Sequence, residues 1–175
     1  PLFEKPDNAD GLSVFAAYLF SNSSQVSILA FSLGFAFGIP SILLLIHNMA
    51  LLGAMLWLYN EAGLLIDFAA WLSVHGTTEL FAILLAGGAG IHIGRSMAFP
   101  GNRSILTAAA QSGRRAAQVM SGVIIMLIIA ALLEGFARQL VNDTTSRFII
   151  GGFMLAFWLA YFLLLGRGRS VRDEA

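Results

Sequence analysis

Five stretches of this chain are apolar for long enough to enter a lipid bilayer, and they leave little sequence for anything else. A spanning helix needs about 20 apolar residues, at ~1.5 Å of rise each across a ~30 Å hydrocarbon core. Candidate spans run from about Ser24 to Phe37, Ile39 to Tyr59, Thr78 to Met97, Ala116 to Phe136 and Phe148 to Leu165. The first is short, because Gly38-Ile39-Pro40 breaks it: proline inside a helix lacks a donor and clashes with the preceding turn. Pro40 instead suits the first turn of the second span. Pro100-Gly101-Asn102 ends the third. The last carries no charged residue and is the expected lipid-facing helix.

Composition points the same way, with 58% hydrophobic and 11% charged residues, against roughly 25% charged in soluble domains. The zero formal net charge argues against a nucleic-acid partner, and the absence of cysteine removes disulfides and thiolate metal sites. The expected fold is an all-α membrane protein of about five transmembrane helices in a single polytopic domain. Residues 1–23 form an outer interfacial segment, 24–166 the helix bundle and 167–175 a cytoplasmic tail.

Three shorter stretches lie before or between these spans. "LSVFAAYLF" (12–20) and "LLIDFAAWL" (64–72) are too short to span and carry aromatic residues suited to the headgroup region. "ILTAAAQSGRRAAQ" (105–118) reads as a mixed, arginine-containing helix able to dock a cytoplasmic partner. "FAAYL" and "FAAWL" lie 53 residues apart, each followed by a polar patch and a glycine-containing apolar run. That echo fits a parallel internal repeat of an interfacial helix, a descending span and an ascending span.

Arg95, Arg103, Arg114 and Arg115 bracket one connection, and Arg167, Arg169 and Arg172 follow the last span, together seven of the ten basic residues. Alternation puts these on one side, and the positive-inside rule makes that side cytoplasmic. The N-terminus is then outside and the C-terminus inside a prokaryotic inner membrane. A chain that starts outside, on Pro1 and without a signal, suggests an upstream span.

Ionisable groups inside a bilayer are costly, by roughly 2.5–3.5 kcal/mol on insertion scales, and tend to face the bundle interior. By depth they form two groups: His75, Glu79, Glu134 and Arg138 near the outer face, and His47, Asn48, His92 and Arg95 nearer the inner half. His75 and Glu79 share a face if the helix already includes His75. Ala82, Ala86, Gly90 and Gly94 continue near that face, a small-residue stripe where another helix can approach closely. Glu79 has a bland reading as well: with Gly76 as N-cap it would sit at the third helical position, facing the positive end of the dipole.

Glu134 lies near a helix C-terminus, where the dipole disfavours an anion, so it needs a cation, a proton or a donor. Arg138 is the local candidate and His75 the tertiary one. His92 lies about 220° and ~20 Å from Glu79 along one helix, so one metal cannot use both. No zinc motif, paired-carboxylate hydrolase, nucleophile elbow or phosphate loop appears, so neither a metal nor another cofactor is expected.

The sequence resembles the stage II sporulation protein M family of integral membrane proteins. The resemblance rests on "VSILAFSLGFAFGIPSILLLIHNMALLGAML", "HGTTELFAILLAGGAGIHIGRSMAFPG", "GRRAAQVMSGVIIMLIIAALLEGF" and "YFLLLGR". It implies emphasis on His75, Gly76, Glu79, Pro100, Gly101, Glu134 and Gly135. It looks like a member from a non-sporulating bacterium that lacks the extra N-terminal region usual there. After Glu-Gly-Phe the resemblance implies a proline-containing outer turn, where this chain has Ala137-Arg138-Gln139.

In endospore formers the family's sporulation member acts in engulfment, as a scaffold beside peptidoglycan-degrading partners. The expected function is accordingly a non-enzymatic scaffold or complex subunit in an envelope process, as a homodimer or part of a larger complex. The alternative is a permease-like component for a small molecule, ion or lipid, with the outer polar group as its site. An intramembrane hydrolase stands third.

Overall fold

The computed structural model describes the fold of residues 9–141 and 143–170, and the side chains of 21–135, 141 and 143–164. It contains five long helices: α1 (Ala9–Ser32), α2 (Ile39–Glu61), α3 (Leu65–Ala98), α4 (Ile105–Leu140) and α5 (Thr144–Ser170). No strand occurs among the described residues, and α2, α3, α4 and α5 are each long and apolar enough to cross a membrane.

The turns follow their local chemistry. A 3-10 turn over Leu33–Phe35 tightens the end of α1, and the chain reverses through Phe37 and Gly38 at φ 59° and 79°. Pro40 then sits in the first turn of α2, where its missing N–H costs nothing. Gly63, at φ 70°, stops α2 in the left-handed conformation common just past a helix end. Gly101, at φ 63°, does the same between α3 and α4. The Ser104 hydroxyl accepts the Thr107 N–H at 3.2 Å and caps α4. Asp143 caps α5 by accepting from the Ser146 N–H at 2.9 Å and the Ser146 hydroxyl at 3.0 Å. These two bonds hold the Asp143 carboxyl below its ordinary range.

The two stretches expected at the interface, and the separate helix expected over 105–118, are instead parts of long helices. Residues 12–20 belong to α1, 64–72 run into α3 from its N-cap Leu64, and 105–118 begin α4. No proline interrupts Ser73–Thr78, and its hydroxyls bond carbonyls of their own helix: Ser73 to Ala70 at 2.8 Å, Thr77 to Ser73 at 3.1 Å. The helix therefore runs through His75 and Gly76, and Glu79 is not in a capping turn. At ~1.5 Å per residue, α3 is ~50 Å long, more than a ~30 Å hydrocarbon core requires.

The contacts fix how the helices run. α1 is parallel to α3, since Ser23 meets Glu79 and Gly34 meets Gly90. α2 returns antiparallel, with Gly38 beside Gly94, Leu45 beside Gly87 and Tyr59 stacked on Phe68 at 4.1 Å. α4 is antiparallel to α3, as Ser96 meets Ser112 while Ala82 and Ala86 pack with Val123, Met126 and Leu127. α5 is parallel to α3 again, with Gly151 on Ser73 and Trp158 on Thr78. The chain thus makes two antiparallel helix pairs in the same sense and then adds α5.

α3 is the central helix, packed against all four others, and fourteen of its residues are buried. Its small residues allow this. A Cβ on Gly90 would stand 2.6 Å from the Ala30 carbonyl oxygen, one on Gly94 would strike the Gly38 backbone, and one on Gly34 would strike Gly90 itself. Among the described residues α2 faces outward more than α5 does. Ser41 is the one buried residue of α2, whereas α5 buries Gly151 and Trp158.

These crossings predict sharply different costs for glycine substitutions. Gly90→Ala should destabilise the bundle by about 1–3 kcal/mol, the usual cost of overpacking. Gly122→Ala, where an added Cβ meets nothing within 4 Å, should be neutral or slightly stabilising through helix propensity. Thermal unfolding of both variants in one detergent checks this; equal midpoints would contradict it.

Candidate functional site

The polar side chains of the upper bundle come from four helices. His75 and Glu134 are each 3% exposed. α3 and α4 are antiparallel, so carrying the Ser96–Ser112 match along one residue at a time puts Glu134 level with Val74 and His75. The His75 ring stands edge-on to Trp71, centroids 5.1 Å apart and planes at 76°. Glu79 lies one turn further down α3 and accepts a hydrogen bond from the Ser23 hydroxyl of α1 at 3.1 Å. The Arg138 side chain lies outside the described residues.

Two further bonds tie α5 to the same region. Thr78, fully buried, accepts the Trp158 indole N–H at 3.1 Å. Ser73 donates to the Arg147 carbonyl at 3.3 Å, beside the point where Gly151 meets the Ser73 backbone. One turn and a half of α3, from Ser73 to Glu79, thus sends polar contacts to both α1 and α5. Burying a carboxyl inside an apolar bundle is costly unless a donor reaches it, and for Glu79 the Ser23 hydroxyl of another helix is such a donor.

Ser23, Thr78 and Trp158 were not evident as partners from the sequence. Ser23 and Ser27 at i and i+4, and Ser24 and Ser27 at i and i+3, are neighbours on the helix surface, in and just after the polar patch that follows "FAAYL". That patch was the available signal for α1 facing the carboxyls. The Oγ atoms of Ser24 and Ser27 are buried without a hydrogen-bond partner among the described residues.

The inner group is not assembled. His47 is exposed on α2 and Asn48 half-buried, while His92 and Arg95 are exposed on α3. The Leu45–Gly87 contact between antiparallel helices puts His47 about two turns, ~10 Å along the axis, from His92. Among the described residues no group of three or more His, Cys, Asp or Glu side chains could hold a metal. His92 instead faces α4, sharing with Arg115 the lining of two adjoining cavities. Gly90 and Gly94 lie against the backbone of the α1–α2 turn.

The Ser23–Glu79 contact predicts energetic coupling across α1 and α3. In a double-mutant cycle with Ser23→Ala and Glu79→Gln, unfolding in detergent should show a coupling of about 0.5–2 kcal/mol, as expected for a hydrogen bond to a buried carboxyl. Strict additivity would contradict the contact.

Compared with known proteins, the chain matches a family model described as stage II sporulation protein M over residues 2–137. No curated protein and no solved structure matches it. The matched region takes in α1 to α3 and nearly all of α4, including His75, Glu79 and Glu134, while α5 follows it. The chain belongs to the stage II sporulation protein M family of membrane proteins.

Proposed function

We propose that this protein is a non-enzymatic scaffold or complex subunit of a prokaryotic inner membrane, working in an envelope process through helix–helix contacts in the bilayer. One observation carries the reading. On α2, Ile39, Leu43, Ile46 and Trp57 fall within about 60° of one another at 100° per residue, and each is 60–65% exposed. His47 is exposed on the same side, in the middle of the helix. An imidazole facing lipid alone is costly, whereas between helices it supplies the polar contact that holds membrane interfaces together. A second copy of α2 is the simplest partner, which makes the protein a homodimer.

The buried outer cluster supports the same reading, since His75 and Glu134 are enclosed by helices and serve to lock them. Most of the arginines also sort by end. Arg95, Arg103, Arg114 and Arg115 lie at the end opposite Glu61, Asp67 and Asp143, where Arg138 and Arg147 also fall. The positive-inside rule puts the arginine end in the cytoplasm. Phe99 and Leu106 there are 78% and 82% exposed, an apolar surface beside 105–118 that suits a cytoplasmic partner. A permease-like role has one observation in its favour, the buried Ser24 and Ser27 hydroxyls, which fit a hydrated path between α1 and its neighbours.

The cysteine-free chain makes both points testable with single cysteines. Leu43→Cys should cross-link to a dimer in native membranes, and adding His47→Leu should lower that yield several-fold. A chain that stays uncross-linked, yet conducts a solute into proteoliposomes and loses the flux in Glu134→Gln, would replace the scaffold with the permease. For orientation, an impermeant thiol reagent should reach Ala62→Cys from outside intact cells, and Asn102→Cys only after permeabilisation. The reverse pattern would invert the topology.

A further inference from the structure

At the arginine end, two cavities meet between α3 and α4, and they differ in character. One, of about 370 Å³, is a largely apolar groove lined by Leu84, Leu85, Gly88, Ala89, Ala116 and Val119, with His92 and Arg115 at its end. The other, of about 170 Å³, shares His92 and Arg115 and adds Ser96, Arg103, Gln111 and Ser112. From Leu84 to His92 the groove follows two turns of α3, ~12 Å at 1.5 Å per residue. Leu84, Gly88 and Val119 on its rim are exposed on the side of the bundle. An apolar slot open to the membrane therefore leads into a polar pocket at the interface.

The charge of that pocket is one-sided. Between Glu79 and Glu134 the sequence contains no acidic residue, while it contains Arg95, Arg103, Arg114 and Arg115. The walls are built wholly from this stretch, and the residues that line them include cations and no carboxylate. Arg103 is already anchored at the mouth, with Nε donating to the Pro100 carbonyl at 3.3 Å and Nη1 donating to Gln111 Oε1 at 2.5 Å. The Ser96 and Ser112 hydroxyls, 2.6 Å apart, form the floor. Guanidinium groups in a fixed arrangement match a phosphate oxygen set better than any neutral group does.

We infer that this composite cavity binds one anionic phospholipid, with its phosphate between Arg103, Arg115 and His92 and one acyl chain along the Gly88 groove. The occupant is a lipid rather than a protein, because the apolar part opens sideways to the bilayer and the charged part sits at one helix end. That arrangement matches a headgroup and its chain in the adjoining leaflet. The glycine is what leaves room: a Cβ added at Gly88 meets nothing within 4 Å, so a side chain can leave the helix there and enter the groove that Gly88 lines.

Native mass spectrometry of the purified protein with added palmitoyl-oleoyl phosphatidylglycerol, set against phosphatidylcholine, tests the inference. Wild type should retain one phosphatidylglycerol and bind it at least tenfold more tightly than phosphatidylcholine. Arg115→Gln and Gly88→Leu should each lower that affinity tenfold or more. Arg114→Gln, which removes an exposed cation outside the cavity, should leave it within twofold, and its thermal midpoint controls for folding. Equal retention of the two lipids, or an equal loss in Arg114→Gln, would overturn the site in favour of general surface attraction. Inorganic phosphate that displaces the lipid at millimolar concentration, with Gly88→Leu without effect, would show a free-anion pocket and overturn the lipid assignment.

Discussion

The α3 backbone meets other backbones directly at Gly90 and Gly94, and the arrangement of the first two helices depends on this. A lipid-embedded bundle has no hydrophobic effect to drive one helix onto another, because lipid tails are as apolar as leucine. Close packing must supply the attraction, and it does so where side chains are absent. Gly34 and Gly90 face each other, and Gly94 faces the Phe37–Gly38 reversal. These crossings hold the α1–α2 turn against the lower third of α3. Once the turn is fixed, α1 runs back along α3 far enough for Ser23 to reach Glu79.

Polar contacts then act at the opposite end of α3. Ser73, Thr78 and Glu79 bond partners on α5 and α1, and His75 packs on Trp71. Such bonds in membranes are worth only about 0.6–2 kcal/mol each, so their role is chiefly to choose register among apolar alternatives of similar energy. Division of labour follows: glycine and alanine set the distances, hydroxyls and carboxyls set the alignment. α2 joins both on one side, through Leu45 on Gly87 and the Ser41 hydroxyl donating to the Ala30 carbonyl at 2.7 Å, which leaves its opposite apolar side and His47 exposed.

Much of the architecture was legible in the sequence because its signals are local. Hydropathy located the last four of the five expected spans, while the first falls on α1, which among the described residues is not long and apolar enough to cross; Gly38-Ile39-Pro40 and Pro100-Gly101 located the reversals. The small-residue stripe through Ala82, Ala86, Gly90 and Gly94 pointed at the face of α3 that is buried. The helix start at Leu65 was not legible, because "SVHGTT" reads as a polar break when taken alone. Its hydroxyls bond back to their own helix, and no proline stands in the way. The partners of the polar residues were harder still. Ser23 lies 56 residues from Glu79, and Thr78 lies 80 from Trp158, so they meet only through tertiary packing. His47 and His92 fail to meet for the converse reason, since helix register, not shared depth in a hydropathy plot, decides which groups face each other.

The arrangement of the bundle rests on α1 lying parallel to α3, with Ser23 facing Glu79 and Gly34 facing Gly90. The most direct measurement is cross-linking of Ser23→Cys with Glu79→Cys in the otherwise cysteine-free chain, using a short bifunctional thiol reagent in native membranes. Intramolecular closure should be rapid for this pair and slight for Ser23→Cys with Arg95→Cys, which lies some 24 Å further along α3 at ~1.5 Å per residue. Slow closure of the first pair beside fast closure of the second would contradict the parallel arrangement.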